Sequence, residues 1–270
     1  MAANITDGKE NIICIGGIGG SGTRLFADIL SKYVHMGNSI NDSSDNTTFT
    51  LLFKRLKSLT LSEEEFDEIF SIFKKIMTNK VLNKKEVSKF NKIYLEDTSQ
   101  DYLYDKTLAK DLSLCFFPKT KITNWGWKEP NTHIVLGHIL RQGDNYKYIH
   151  IYRDGFMSAI SPNQNQLKFW CTKKVTPSKS IEYWISVQEK IIEYKRKYPN
   201  SIFLIDYSIF IKSPEYYLVR LSNFCGYMID IKFVKSLIKE PSKKKKINMR
   251  VFTKSQINKV KQLMLILSTL

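Results

Sequence analysis

Apolar and polar positions along this chain follow two periods. Unbroken apolar runs at Ile12-Ile13-Cys14-Ile15, Tyr148-Ile149-His150-Ile151 and Ile202-Phe203-Leu204-Ile205 predict buried strands at about 11–16, 147–152 and 202–205. Elsewhere the spacing is helical. Thr23 to about Val34 reads as a helix, and Ser62 with Glu65 forms a capping box. After that box the stripe Phe66, Ile69, Phe70, Phe73 and Met77 is expected to pack in the interior rather than hold a cofactor. Pro130 opens a helix to about Leu140. Residues 179–198 form a long helix with Trp184, Val187, Ile191 and Tyr194 on one face. Ser213-Pro214 opens another through Phe224, closed by Gly226, and a last helix starts near Thr253. Residues 36–50 are polar and turn-rich, so they read as a loop. Residues 50–117 read as a mostly helical insert, placed to shape an acceptor pocket.

Strands alternating with helices imply an α/β fold in three layers, a central parallel sheet with helices on both faces. At 270 residues and 43% hydrophobic content the chain can bury a large core, and we read 1–270 as a single domain carrying that insert.

The first strand runs into Gly16-Gly17-Ile18-Gly19-Gly20-Ser21-Gly22-Thr23-Arg24 and then a helix, the layout of a phosphate cradle. Three ligands fit it. Gly17 to Gly22 matches G-x-G-x-x-G with Asp42 about 20 residues on, as in a dinucleotide fold. A P-loop NTPase shares the glycine spacing but needs Lys-Ser/Thr where Thr23-Arg24 stands. A phosphosulfate loop needs no metal: Ser21 and Thr23 supply hydroxyl donors, and cations come from elsewhere in the chain. Ligands of such sheets bind beyond the strands' carboxyl ends. The polar residues there are the glycine loop, Arg153 and Asp206-Tyr207, with Lys128-Glu129 at a turn into a helix.

A net charge of +16 attracts anions, which admits nucleotides and anionic glycans. No zinc-finger spacing or aromatic-interleaved basic stripe favours nucleic acid, and Lys243–Lys246 reads as a solvated turn. Cys14, Cys115, Cys171 and Cys225 lack any paired spacing and read as free thiols in a reducing compartment. With no secretory pattern and no apolar stretch of membrane-spanning length, a cytoplasmic location is expected.

Taken in order, these pieces resemble the sulfotransferases that use 3′-phosphoadenosine 5′-phosphosulfate (PAPS). Gly20-Ser21-Gly22-Thr23 resembles their 5′-phosphosulfate loop. Arg153 and Ser161 resemble their 3′-phosphate pair, and Lys128-Glu129-Pro130 their Lys-acid-Pro segment. Tyr207, Pro214 and Leu221 to Gly226 resemble a late segment of the same family. The likeness spans about 11–226 and implies a P-loop-like core and metal-free transfer of a sulfuryl group to a hydroxyl or amine. A carbohydrate is one candidate acceptor, and adenosine 3′,5′-bisphosphate (PAP) is the product. By this resemblance Gly19, Gly20, Ser21, Gly22, Thr23 and Arg24 cradle the 5′-phosphosulfate, while Arg153, Ser161 and Tyr207 hold the nucleotide. Lys128 would neutralise the leaving oxygen and Glu129 act as general base, with His133 or an acid in 36–50 as rivals. Glu129 before Pro130 also suits a plain helix-start carboxylate. Two departures stand out. Gly20 occupies the place of the loop's usual cation, and Arg24 that of a hydroxyl residue, so Arg24 is a candidate substitute. A P-loop phosphotransferase and a non-catalytic anion-binding module are the other readings of the chain.

Overall fold

The computed structural model describes residues 11–37, 40–96, 122–171, 174–239 and 247–270. The predicted helical stretch at 97–117, the lysine run Lys243–Lys246 and Cys115 therefore lie outside the described residues.

Four parallel strands form the sheet: β1 (Ile12–Gly17), β2 (Trp125–Lys128), β3 (Tyr146–Tyr152) and β4 (Ile202–Asp206), in the order β2-β1-β3-β4. Side chains alternate across β1. Ile12 and Cys14 enter one apolar cluster with Trp125, Trp127, Tyr148 and Trp184. Ile13 and Ile15 enter another with Phe26, Ile149, Ile205 and Leu221. Helices Glu63–Met77, Pro177–Lys197 and Lys254–Thr269 supply the first cluster, and Thr23–Leu30, Glu215–Cys225 and Ile231–Leu237 the second. Both faces are covered, as the three-layer expectation requires.

Some local readings shift. Trp125–Lys128 is a strand that the hydropathy pattern missed, because Gly126 and Lys128 leave no unbroken apolar run in its four residues. Its register, Ile12 beside Trp125 and Ile15 beside Lys128, carries Lys128 to the sheet's carboxyl edge. The first helix ends at Leu30 rather than near Val34. The loop at 36–50 gives way at Thr47 to a helix, Thr47–Phe53, capped by Asn46, whose Oδ1 accepts from the Phe49 amide. Pro130–Ile134 is a tight 3-10 turn, followed by the helix Leu136–Arg141.

The described part of the insert leans on the sheet through aromatic rings. Phe49 stacks on Trp127 at 5.2 Å between centroids, and Phe70 and Phe73 meet Trp127 and Trp125 edge-on. The phenylalanine stripe is interior packing, as its spacing predicted. Cys14 and Cys225 are buried unpaired thiols, both pushed up in pKa by burial, and Cys171 is half-buried. Among the described residues no helix is long and apolar enough to cross a membrane.

Candidate active site

The sheet's carboxyl edge gathers the predicted residues. Gly17 pairs with Ile151 and Tyr152 with Asp206, so the glycine loop, Arg153 and Tyr207 leave the sheet side by side.

The loop folds back on itself, the Ser21 amide donating to Ile18 O at 3.0 Å. Gly20 and Gly22 have φ of 84° and 96°, backbone that favours glycine. A Cβ on Gly20 would lie 2.7 Å from Ser161 Oγ, and one on Gly22 would strike the Tyr207 ring. The loop thus rests directly on two of the predicted nucleotide residues. Arg153 Nη1 donates to Gly20 O at 3.0 Å. Gln166 holds the other end, accepting from the Gly19 amide and donating to Gly17 O at 3.3 Å. Gly22 caps the following helix without any side chain; the Leu25 amide donates to Gly22 O at 3.2 Å, and the Thr23 and Arg24 amides ahead of it have neither a cap nor an intrahelical acceptor. Ser21 Oγ and Arg153 Nε are shielded from solvent and have no hydrogen-bond partner.

On its other flank the loop borders a cavity of about 1280 Å³, lined also by Arg24, Asp45, Thr50, Lys128, Glu129 and Asn131. Lys128 is 3% exposed, and its Nζ donates to Ser43 O at 2.9 Å and pairs with Asp45 Oδ1. Glu129 is 2% exposed. Its Oε1 accepts from the Asn131 amide at 3.0 Å and from Asn131 Nδ2 at 2.6 Å. Its Oε2 meets Thr50 Oγ1. Burial first, and then the Asp45 charge, hold the Glu129 carboxyl above the usual carboxylate range. Thr50 also faces Asn46 O at 3.0 Å. A hydroxyl carries one proton, so Thr50 gives it to Asn46 O when Glu129 is protonated and to Glu129 when it is ionised. Glu129 is at once the cap of the turn after Pro130 and a cavity carboxylate.

A profile of the Sulfotransferase family matches residues 13–230. The chain belongs to the sulfotransferase family. A search of curated proteins gave no significant match. Among solved structures the chain is similar to the sulfotransferase domain of the Synechococcus PCC 7002 olefin synthase, at 14% identity and TM-score 0.46, over 96% of this chain and 97% of that one. It is similar to the sulfotransferase STF9 from Mycobacterium avium at 11% identity and TM-score 0.48, over 98% and 76%. A retinol dehydratase in complex with androsterone and inactive cofactor PAP matches at 12% identity and TM-score 0.39, over 96% and 81%. At such scores the overlays add no weight. Membership rests on the family profile, and the fold on the parallel sheet with helices on both faces.

This sulfotransferase divides its predicted residues between the two flanks of the loop. Arg153, Ser161 and Tyr207 touch the loop but do not line the cavity, whereas Lys128, Glu129 and Arg24 line it. Arg24 stays exposed and reaches Ser43 Oγ at 3.0 Å. His133 does not line the cavity. Its Nδ1 lies 3.0 Å from Pro130 O and its Nε2 3.1 Å from the Tyr183 hydroxyl, and burial lowers its pKa to about 4. The carbonyl fixes the proton on Nδ1, so Nε2 is occupied in accepting from Tyr183.

Three cavity and loop residues were not singled out from sequence. Asp45 was covered only by the acid allowed for in 36–50. Gln166 lies in the polar run Asn163–Gln166, where Gln164 donates to backbone carbonyls at 158 and 161 and Gln166 braces the loop. Thr50 carried no signal, because its meaning depends on a contact with Glu129 far along the chain.

Proposed function

We propose that this sulfotransferase moves the sulfuryl group of PAPS to a hydroxyl or amine of an acceptor held in the 1280 Å³ cavity. The observation that carries the reading is the pair of orphaned donors, Ser21 Oγ and Arg153 Nε, beside uncapped helix amides. Buried donors without acceptors are costly, and an anion with several oxygens satisfies all of them together. The Gly20, Gly22 and Thr23 amides and the Ser21 and Thr23 hydroxyls take the 5′-phosphosulfate. Arg153, Ser161 and Tyr207 take the nucleotide's 3′-phosphate side. PAPS supplies an activated sulfuryl group, and Lys128 neutralises charge on the 5′-phosphate oxygen as its bond to sulfur breaks. Glu129 accepts the acceptor's proton as the new bond to sulfur forms. Asp45 pairs with the Lys128 ammonium, and both line the cavity.

Ligand-dependent unfolding tests this. PAP at about 100 times its Kd adds about 2.7 kcal/mol to the stability of the protein. Arg153→Ala abolishes most of that gain. Stabilisation by ATP with Mg²⁺ in place of PAP would refute the reading and favour a phosphotransferase.

A further inference from the structure

The cavity's charge is lopsided in a way that sulfuryl transfer alone does not require. Six cationic side chains line it, Arg24, Lys54, Arg55, Lys57, Lys128 and Lys168, against two acids, Asp45 and Glu129. Lys128 is matched by Asp45 and Lys57 by Glu65 at 3.0 Å. Arg55 differs from the rest. It follows the helix Thr47–Phe53, in extended backbone just before the 3-10 turn Leu56–Leu59. It is 9% exposed, its Nη1 is shielded from solvent without a hydrogen-bond partner, and among the described residues no carboxylate pairs with it. A surface lysine keeps its water, whereas a guanidinium nitrogen shielded from solvent, with no acceptor and no counter-charge, is expensive to maintain. Lys168 lines the same cavity, next in sequence to Phe169, whose ring carries Lys54 Nζ at 5.0 Å from its centroid.

We propose that Arg55, supported by Lys168, binds an anionic group carried by the acceptor itself: a carboxylate, sulfate or phosphate ester. The planar guanidinium presents paired N–H donors that match two oxygens of any of these groups, and the ligand restores the missing counter-charge. This deepens the sulfuryl-transfer reading and rests on it. Arg55 belongs to the insert and Arg153 to the loop's opposite flank, so Arg55 selects the acceptor and leaves donor binding alone.

The test is calorimetric titration of inorganic sulfate, inorganic phosphate and acetate into the wild-type protein saturated with PAP, at low ionic strength. At least one anion binds saturably, and the tightest names the group. Arg55→Ala weakens that anion about tenfold or more and leaves PAP affinity unchanged; Arg55→Lys, which keeps the charge without the fork, recovers part of the loss. Should Arg55→Ala not fold, the exposed Lys168→Ala serves, weakening the same anion several-fold. The proposal falls if no anion binds the wild type, if Arg55→Ala binds as tightly as wild type, or if it loses PAP affinity, which would put Arg55 in the donor site. The series is repeated without PAP. A wild type indifferent to PAP defeats the donor reading, while the Arg55 comparison still stands on its own.

Discussion

At the scale of single residues, Gly20 decides where the site's positive charge can reside. A lysine there would restore the cation of the family pattern, but φ is 84° and Ser161 Oγ fills the space that a Cβ needs. Gly20→Lys is therefore expected to cost about 1–3 kcal/mol in backbone strain alone and to weaken PAP binding rather than improve it. Thermal unfolding with PAP titration measures both. Positive charge instead comes from neighbouring elements, through Lys128 on β2 and Arg24 at the mouth. Glu129 gives the second residue-scale expectation. Its carboxyl titrates above the ordinary range in the folded protein. Unfolded Glu129 ionises first as pH rises, so the folded state loses stability from the usual carboxylate pKa up to the raised one, and levels off above it. Glu129→Gln removes that loss, and its amide can donate to Thr50 where the acid did. The variant gains in Tm relative to wild type as pH rises across this range. Its turnover is low and flat, whereas that of wild type climbs with pH as the base ionises. Equal turnover in the two proteins would remove Glu129 as base.

At the scale of elements, the link between insert and sheet is aromatic. Phe70 is fully buried against Phe53, Phe66, Phe73 and Trp127. Phe70→Ala is expected to cost about 3–5 kcal/mol and to loosen the cavity wall that Thr50 and Arg55 form, read as a fall in denaturant midpoint. A loss below about 1 kcal/mol would show that the insert does not lean on the sheet. Element identity was legible wherever a long period was available. β1, β3 and β4 declared themselves by apolar runs, and the long helix by its stripe, observed as Pro177–Lys197. β2 did not, because its strand character comes from pairing with β1 rather than from its own four residues. The candidate site was legible in the same uneven way. Arg153 and Tyr207, at the ends of strands that apolar runs predicted, could be placed from order alone, whereas Lys128 read as part of a turn into a helix until its pairing with β1 set it at a strand end. Partners brought in from elsewhere, Asp45 on Lys128, Thr50 on Glu129 and Gln166 on the loop, depend on contacts that no local pattern encodes.

At the scale of the whole molecule, a net charge of +16 accompanies a cavity whose own lining is positive on balance, so anions are drawn inward before any contact forms. The brace on the glycine loop bears on timing. Gln166 and Arg153 hold Gly17, Gly19 and Gly20 with protein atoms alone, so the cradle does not wait for an anion to shape it. Under the sulfuryl-transfer reading, arrival of the nucleotide then requires no ordering of the loop, and diffusion and the field set its speed. The same stiffness offers no easy way to relax the grip when chemistry is over. Under the sulfuryl-transfer reading, letting go of the spent nucleotide becomes the slow event of each cycle.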